Sequence, residues 1–113
     1  MKIGEVSDKT GLSIHTIRYY EKQRLVGKPT KDKSGHRIFS TKDVELLDWV
    51  SCMKNSGMSL SKIREYSTAF YSDDALRCAD LLAEHLQLLK EQQKDIVHYI
   101  PVTEGKIIRL NRP

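Results

Sequence analysis

Apolar residues recur at alternating intervals of four and three along the stretch from residue 75 to residue 100. This spacing predicts a helix with one continuous apolar stripe, the heptad pattern of a coiled coil. A single helix cannot bury such a stripe, so the stripe packs either on its own domain or on a second copy of the chain. Because residues 1–70 already supply a closed set of amphipathic segments, we expect a homodimer. The predicted dimerisation helix, residues 78–100, places these side chains in the dimer seam: Ala79, Leu82, Leu86, Leu89, Gln93, Ile96 and Ile100.

Length and composition limit the chain to one small domain and this helix. It has 113 residues, of which 39% are hydrophobic and 30% charged, with six glycines and three prolines. Such a chain is too short for a large catalytic fold and too apolar for a disordered tail, so a mostly helical protein is predicted. No apolar run is long enough for a membrane span or a signal peptide, which predicts a cytoplasmic protein without a membrane partner.

The first 25 residues have the pattern of a helix-turn-helix. Apolar residues at helical spacing lead to Gly11, a residue type that commonly ends helices, and Ser13 follows as the N-cap of a second helix. In that second helix we expect Ile14, Ile17 and Leu25 to face inward. The opposite face then presents polar and aromatic side chains, as a recognition helix does.

Residues 26–70 complete a winged helix-turn-helix. The polar run KDKSG between two short segments predicts a β-hairpin, a basic wing beside the recognition helix. Ser40 with Asp43 predicts the start of a third helix, and Ser59 predicts the start of a fourth. We therefore predict a mostly α fold with a winged helix-turn-helix domain at residues 1–70, a joint at 71–77, the dimerisation helix at 78–100 and, because Pro101 breaks the pattern, a C-terminal tail at 101–113.

Positive charge is concentrated in the N-terminal part of the chain. Residues 1–40 hold nine lysines and arginines against four acidic residues, whereas the remaining residues hold ten against eleven. A local excess of this size is typical of a surface that binds a polyanion, although a solvated basic patch would give the same count. The charge distribution is therefore compatible with a nucleic-acid partner.

Three stretches resemble, in order, the MerR family of bacterial transcription regulators: IGEVSDKTGLSIHTIRYYEKQRL, SGHRIFSTKDVELL and NSGMSLSKIREY. The resemblance covers about residues 2–70. Within the family, the chain most resembles the short branch that senses thiol and aldehyde stress and has no separate effector domain. It implies a homodimer joined by an antiparallel coiled coil and bound to double-stranded promoter DNA. It also implies that the dimer bends and untwists promoters with a long spacer, so that RNA polymerase is an indirect partner.

The residues and the resemblance together give a set of candidate DNA contacts. Those on the recognition helix are His15, Thr16, Arg18, Tyr19, Tyr20 and Lys22. By helical angle Tyr20 lies nearer the apolar side, so a core position with a satisfied hydroxyl is the alternative. The resemblance adds His36, Arg37 and Phe39 on the wing, where Phe39 stands in place of the family's usual tyrosine. It also implies a second wing with Arg64 and Tyr66, for which an ordinary amphipathic helix is the alternative.

Two cysteines are too few for a disulfide framework or a zinc finger. Cys52 lies about 130° around the third helix from its apolar face. It resembles a cysteine of the thiol-sensing branch and is the candidate redox sensor, although the negative charge of Asp48 one turn earlier favours an inert thiol. Cys78 could form a metal site only with His85, His98 and a partner chain, so we predict no metal and no cofactor.

These features together predict a homodimeric, sequence-specific DNA-binding transcription regulator that cysteine modification could switch. No constellation of catalytic residues stands out, and we predict that the chain is not an enzyme. The alternative function is that of a winged-helix module for protein interaction or recombination that does not regulate a promoter.

Overall fold

The computed structural model describes residues 1–27 and 30–113, so that Lys28 and Pro29 in the predicted wing segment lie outside the described residues. The chain divides into two compact units, Met1–Leu81 and Leu82–Pro113. The described elements in chain order are α1 (Ile3–Thr10), α2 (Ile14–Lys22), β1 (Thr30–Lys31), β2 (Arg37–Ile38), α3 (Thr41–Asn55), α4 (Leu60–Tyr71) and α5 (Ala75–Leu110). The fold is mostly helical with a small hairpin, as the sequence predicts.

Helices α1 and α2 form the predicted helix-turn-helix. Gly11 ends α1 with a φ of 72°, in the left-handed region where glycine carries no Cβ penalty. The hydroxyl of Ser13 accepts a 3.0 Å hydrogen bond from the N–H of Thr16 and caps α2. Ile17 is fully buried, but the prediction that Ile14 faces inward is wrong, because Ile14 in the first turn is 38% exposed.

The wing is a short antiparallel hairpin in which Thr30 lies opposite Ile38. The carboxylate of Asp32 accepts 2.9 Å hydrogen bonds from the N–H groups of both Ser34 and His36. The hairpin turn is therefore closed by a side chain that lies within it, which is a common role of aspartate.

Helices α3 and α4 begin at the predicted caps. Ser40 and Asp43 form a reciprocal capping box, and the Ser59 hydroxyl accepts a 3.2 Å hydrogen bond from the N–H of Lys62. Side chains from the four helices and their connections form one hydrophobic core, which fixes α2 and the wing within the same unit. The core residues are Val6, Ile17, Tyr20, Leu25, Val26, Phe39, Leu46, Leu47, Val50, Met58 and Ile63.

Helix α5 is longer than the predicted dimerisation helix. It begins at Ala75 and runs through Pro101 to Leu110, so the expectation that Pro101 breaks the helix is wrong. A proline inside a helix costs about 3 kcal/mol, a penalty that many turns of good helix formers on both sides can outweigh. The predicted joint is correspondingly shorter, because α4 ends at Tyr71 and α5 starts at Ala75. None of the described helices is both long and apolar enough to cross a membrane.

Candidate nucleic-acid interface

The outer face of α2 presents side chains that suit base and phosphate contacts. His15, Arg18, Tyr19 and Lys22 are exposed. Thr16 is half-buried, and its hydroxyl lies 2.8 Å from the Ser13 hydroxyl in the helix cap. The predicted recognition helix is thus open to solvent on the expected side, with Thr16 engaged at its start.

Tyr20 belongs to the core rather than to this face. Its side chain is buried, and its phenol oxygen lies 3.1 Å from the hydroxyl of Ser51 on α3. Of the two positions that the sequence allowed, the structure has the one in the core. Tyr20 is 4% exposed and supports the recognition helix from the core, and a contact between Tyr20 and DNA stays a prediction.

Arg37 is engaged by acidic side chains of its own domain. Its Nε donates a 2.9 Å hydrogen bond to Oε2 of Glu21 on α2, and its Nη1 donates to the carbonyl of Ile38. Nη1 also lies 3.9 Å from Oδ2 of Asp43, and only 12% of the side chain is exposed. The guanidinium therefore links the wing to the recognition helix in this structure, and the expected contact of Arg37 with the DNA backbone stays a prediction.

Phe39 is likewise a structural residue. Its side chain is buried, and the Arg37 guanidinium lies 3.9 Å from the centre of its ring. This distance is within the range of a cation–π interaction. The ring supports Arg37 from inside the fold, and the placement of Phe39 in the DNA interface stays a prediction.

A basic cleft separates α2 from the wing. It has a volume of about 550 Å³ and joins exposed residues of the recognition helix to exposed residues of the hairpin. His36, 64% of whose side chain is exposed, lies at its edge. The residues that line this cleft are Lys2, Ile3, Arg18, Glu21, Lys31, Gly35, His36 and Arg37.

Lys2 and Lys31 line the cleft although the sequence analysis did not select them. Their only signal in the sequence is membership of the basic N-terminal segment, which does not distinguish one lysine from another. Lys31 lies on β1, and Lys2 lies directly before α1. Which lysines line the cleft therefore depends on the pairing of β1 with β2 and on the residue at which α1 begins. Residue spacing in the sequence predicts neither.

Arg64 and Tyr66 are tied into the fold. The Nε of Arg64 donates a 2.8 Å hydrogen bond to the carbonyl of Gln23, just after the recognition helix. The ring of Tyr66 stacks on Trp49 with 3.9 Å between the ring centres. This arrangement matches an ordinary amphipathic helix α4, which is the alternative to a second wing. The guanidinium of Arg64 is already hydrogen-bonded within the fold.

The two cysteines differ in environment. Cys52 is exposed on α3, whereas Cys78 is half-buried at the start of α5. Burial raises the pKa of the Cys78 thiol, and the carboxylate of Asp74 raises this pKa further. A raised pKa disfavours the thiolate, which is the reactive form of a cysteine. Among the described residues, no group of three or more histidine, cysteine or acidic side chains could hold a metal ion.

Comparison with known proteins agrees with this geometry. A sequence model of the family described as "MerR HTH family regulatory protein" matches residues 1–70, which is more than half of the chain. The chain belongs to the MerR family. Its members are helix-turn-helix regulatory proteins, a class of transcription regulators rather than enzymes.

Curated MerR-family relatives are of moderate similarity. An HTH-type transcriptional regulator of Haemophilus influenzae is 33% identical over 92 residues, which cover 81% of this chain and 64% of that protein. The regulator AdhR of Bacillus subtilis is 33% identical over 93 residues, which cover 80% of this chain and 66% of that protein. The chain thus spans slightly less than two thirds of the length of these two relatives.

Solved structures of MerR-family proteins share the fold. A family member from Listeria monocytogenes has a TM-score of 0.81 at 28% identity, covering 95% of this chain and 83% of that chain. HiNmlR, described as a MerR family regulator lacking the sensor domain and bound to promoter DNA, has a TM-score of 0.77 at 28% identity, covering 95% of this chain and 86% of that chain.

Proposed function

We propose that this MerR-family chain is a homodimeric transcription regulator that binds double-stranded promoter DNA in a sequence-specific manner. The observation that carries the proposal is the basic cleft between α2 and the wing, because it combines an exposed recognition helix with positive charge on a neighbouring hairpin. In a winged helix-turn-helix the helix enters the major groove, where base pairs are distinguishable, while flanking elements contact the backbone. The promoter DNA in the HiNmlR structure supports the same assignment.

Separate side chains serve base contact and phosphate contact in this proposal. Arg18 and Tyr19 project from the middle of α2 and contact base edges, with His15 near the start of the helix. Lys31 and His36 on the wing contact phosphates, which fixes the orientation of the protein but carries no sequence information. Arg37 contributes indirectly, since its hydrogen bond to Glu21 sets the position of the wing.

The apolar stripe of α5 supports the homodimer. Leu86, Ile96 and Ile100 are each at least half exposed in the single chain. Apolar side chains repeated along one helical face are typical of an interaction surface. We propose that a second copy covers them in an antiparallel pair, which sets a fixed separation between the two recognition helices.

Promoter bending follows from the same dimer. Smooth bending of a DNA site 20–30 base pairs long costs on the order of 1–6 kcal/mol of free energy. Contacts from both wings offset this cost. The bound dimer thereby bends and untwists the spacer between promoter elements, and it affects RNA polymerase through the shape of the DNA. Distortion at the centre of the site is the expected footprint of the activating form, whereas undistorted central base pairs in every state would indicate a simple repressor.

Cys52 is the proposed switch. It lies on α3, between Ser51, which contacts the Tyr20 phenol of the recognition helix at 3.1 Å, and Lys54, whose ammonium lies 5.2 Å from the centre of the Tyr19 ring. Modification of the exposed thiol adds bulk or charge on this segment of α3. A shift of α3 would therefore reach α2 through two side-chain contacts without a ligand pocket.

Binding to DNA from the protein's own gene neighbourhood tests the proposal. Titration of the upstream duplex and of a random duplex at several salt concentrations gives the specific and the non-specific affinity. A regulator binds the upstream duplex at least about 10³-fold more tightly. Equal affinity for both duplexes, or no binding to either, would contradict the proposal and favour a module for protein interaction or recombination.

A further inference from the structure

The recognition helix α2 ends in a backbone conformation that suits glycine but is occupied by arginine. Arg24, the residue after the C-cap Gln23, has a φ of 61°, in the left-handed region that residues with a Cβ rarely adopt. The N–H of Arg24 donates a 3.0 Å hydrogen bond to the carbonyl of Glu21. The N–H of Leu25 donates a 2.9 Å hydrogen bond to the carbonyl of Tyr20. These bonds form the Schellman motif, whose left-handed residue is usually glycine, so the helix end is strained and depends on contacts that hold it from outside.

Arg64 supplies such a contact from α4. Its Nε donates a 2.8 Å hydrogen bond to the carbonyl of Gln23, and its Nη2 lies 3.3 Å from Oε1 of the same glutamine. Both side chains are half-buried. The carbonyl groups at a helix end have no partner within the helix, and the guanidinium provides one for Gln23. The planar fork of arginine thus holds the backbone and the side chain of one residue together, a geometry that lysine does not reproduce.

The segment that leads from α2 to the wing rests on α4 at its other end as well. Gly27 packs against the ring of Tyr71, and a Cβ at Gly27 would lie only 2.8 Å from Cζ of that ring. Arg64 and Tyr71 are seven residues apart, which is about two helical turns, so they lie on the same face of α4. One face of α4 therefore holds both ends of residues 23–27, which connect the recognition helix to the wing.

We infer that Arg64 is a positioning residue for sequence recognition, which acts through Gln23 and not through a contact with DNA. This inference rests on the DNA binding proposed above. Arg64 fixes the end of α2 relative to the wing, and it thereby sets the width of the cleft that Arg18 and Lys31 line. Hydrogen bonds to base edges require this geometry, whereas attraction to phosphates is independent of sequence and tolerates small displacements. Loss of the Arg64 contact should therefore reduce specific binding selectively.

Arg64→Met tests this inference, because methionine keeps an unbranched apolar stem and removes every donor. Arg64→Met should weaken binding to the upstream duplex about fivefold or more. Binding to the random duplex should stay within about twofold, with an unchanged dependence on salt. Partial unfolding would lower both affinities alike, so the ratio of the two affinities reports positioning and not stability. Arg64→Lys keeps the charge without the planar fork and should recover at most part of the loss.

Arg24→Gly provides an independent test of the helix end. Glycine adopts the left-handed conformation without strain, so Arg24→Gly in an Arg64→Met background should recover most of the lost preference for the upstream duplex. Arg24→Ala is the matched control, because it removes the same charge but keeps the Cβ, and it should recover none of this preference. An equal preference in the two double variants would show that Arg64 does not act through the end of α2, which overturns the inference.

The outcomes for Arg64 also separate this inference from the proposed function. A phosphate contact would appear as equal losses on both duplexes in Arg64→Met and full recovery in Arg64→Lys. The slope of the logarithm of affinity against the logarithm of salt concentration would also fall by about one in Arg64→Met. That result overturns the inference and leaves the proposed function intact. A parent protein that does not distinguish the two duplexes would instead contradict the proposed function, and the inference with it.

Discussion

The phenol of Tyr71 donates a 2.6 Å hydrogen bond to Oδ1 of Asp43. The same phenol oxygen accepts a 3.0 Å hydrogen bond from the N–H of Gly27, in the segment between α2 and the wing. Oδ2 of Asp43 accepts the N–H of Ser40 at 2.8 Å in the capping box of α3. The end of α4 therefore holds both the start of α3 and the segment that leads from the recognition helix to the wing.

Tyr71→Phe should lower the free energy of unfolding by about 1–3 kcal/mol. The substitution removes a donor to a largely buried carboxylate and the acceptor for the Gly27 N–H, and groups left without a hydrogen bond carry this cost. Chemical denaturation measures the change. Tyr99→Phe is the matched control, because Tyr99 is 59% exposed, and it should change the stability by no more than about 0.5 kcal/mol. Equal stability of both variants would show that the Tyr71 contacts contribute nothing net.

The same phenol predicts a loss of stability at alkaline pH. Burial raises the pKa of Tyr71 above its ordinary value of 10.0, and its hydrogen bond to Asp43 raises this pKa further. The folded protein holds the proton more tightly than the unfolded chain, so the stabilisation is complete below pH 10 and is lost as the pH rises above that value. Unfolding free energies measured up to about pH 11 should therefore fall more steeply for the parent than for Tyr71→Phe. Parallel curves would contradict this assignment.

Local signals in the sequence predict where the helices begin. Contacts between residues that are distant in sequence determine the arrangement of the candidate nucleic-acid interface. Ser13 and Ser40 mark helix starts because a cap needs only residues within one turn, and both were identified correctly. The partner of Arg37 is Glu21, 16 positions earlier on another element, and no spacing rule connects them. Pro101 shows the opposite error, since a local rule predicted a break that the long helix does not have.

Arg37→Ala should destabilise the domain rather than only weaken DNA binding. Removing the guanidinium leaves Glu21 without its 2.9 Å hydrogen-bond partner, and a hydrogen bond to a charged group contributes about 1.5–3 kcal/mol. A double-mutant cycle with Glu21→Gln isolates the pair, and Lys33→Ala in the exposed wing turn is the control. Unchanged stability, together with an equal loss of affinity for all DNA sequences, would restore Arg37 to the role of a phosphate contact.

Arg18 and Lys31 should separate base contact from phosphate contact. Arg18→Ala removes a side chain that can pair with guanine, so specific affinity should fall by roughly 1–3 kcal/mol while binding to random duplex changes little. Lys31→Ala should weaken binding to both duplexes. It should also reduce the slope of the logarithm of affinity against the logarithm of salt concentration by about one. Equal losses on both duplexes for Arg18→Ala would remove its role in base recognition.

Cys52 should control the response to electrophiles, and Cys78 should not. Cys52 is exposed beside the α3 side chains that contact the recognition helix, whereas burial raises the pKa of the Cys78 thiol and disfavours its reactive thiolate form. Cys52→Ala should therefore bind the operator normally but fail to respond to an aldehyde or an oxidant, and Cys78→Ala should respond like the parent. The switch needs an accessible thiol, so iodoacetamide should alkylate Cys52 in the folded protein and abolish the response. An intact response in Cys52→Ala, or in the parent after Cys52 has been alkylated, would make the thiol a bystander and place the signal elsewhere in the chain.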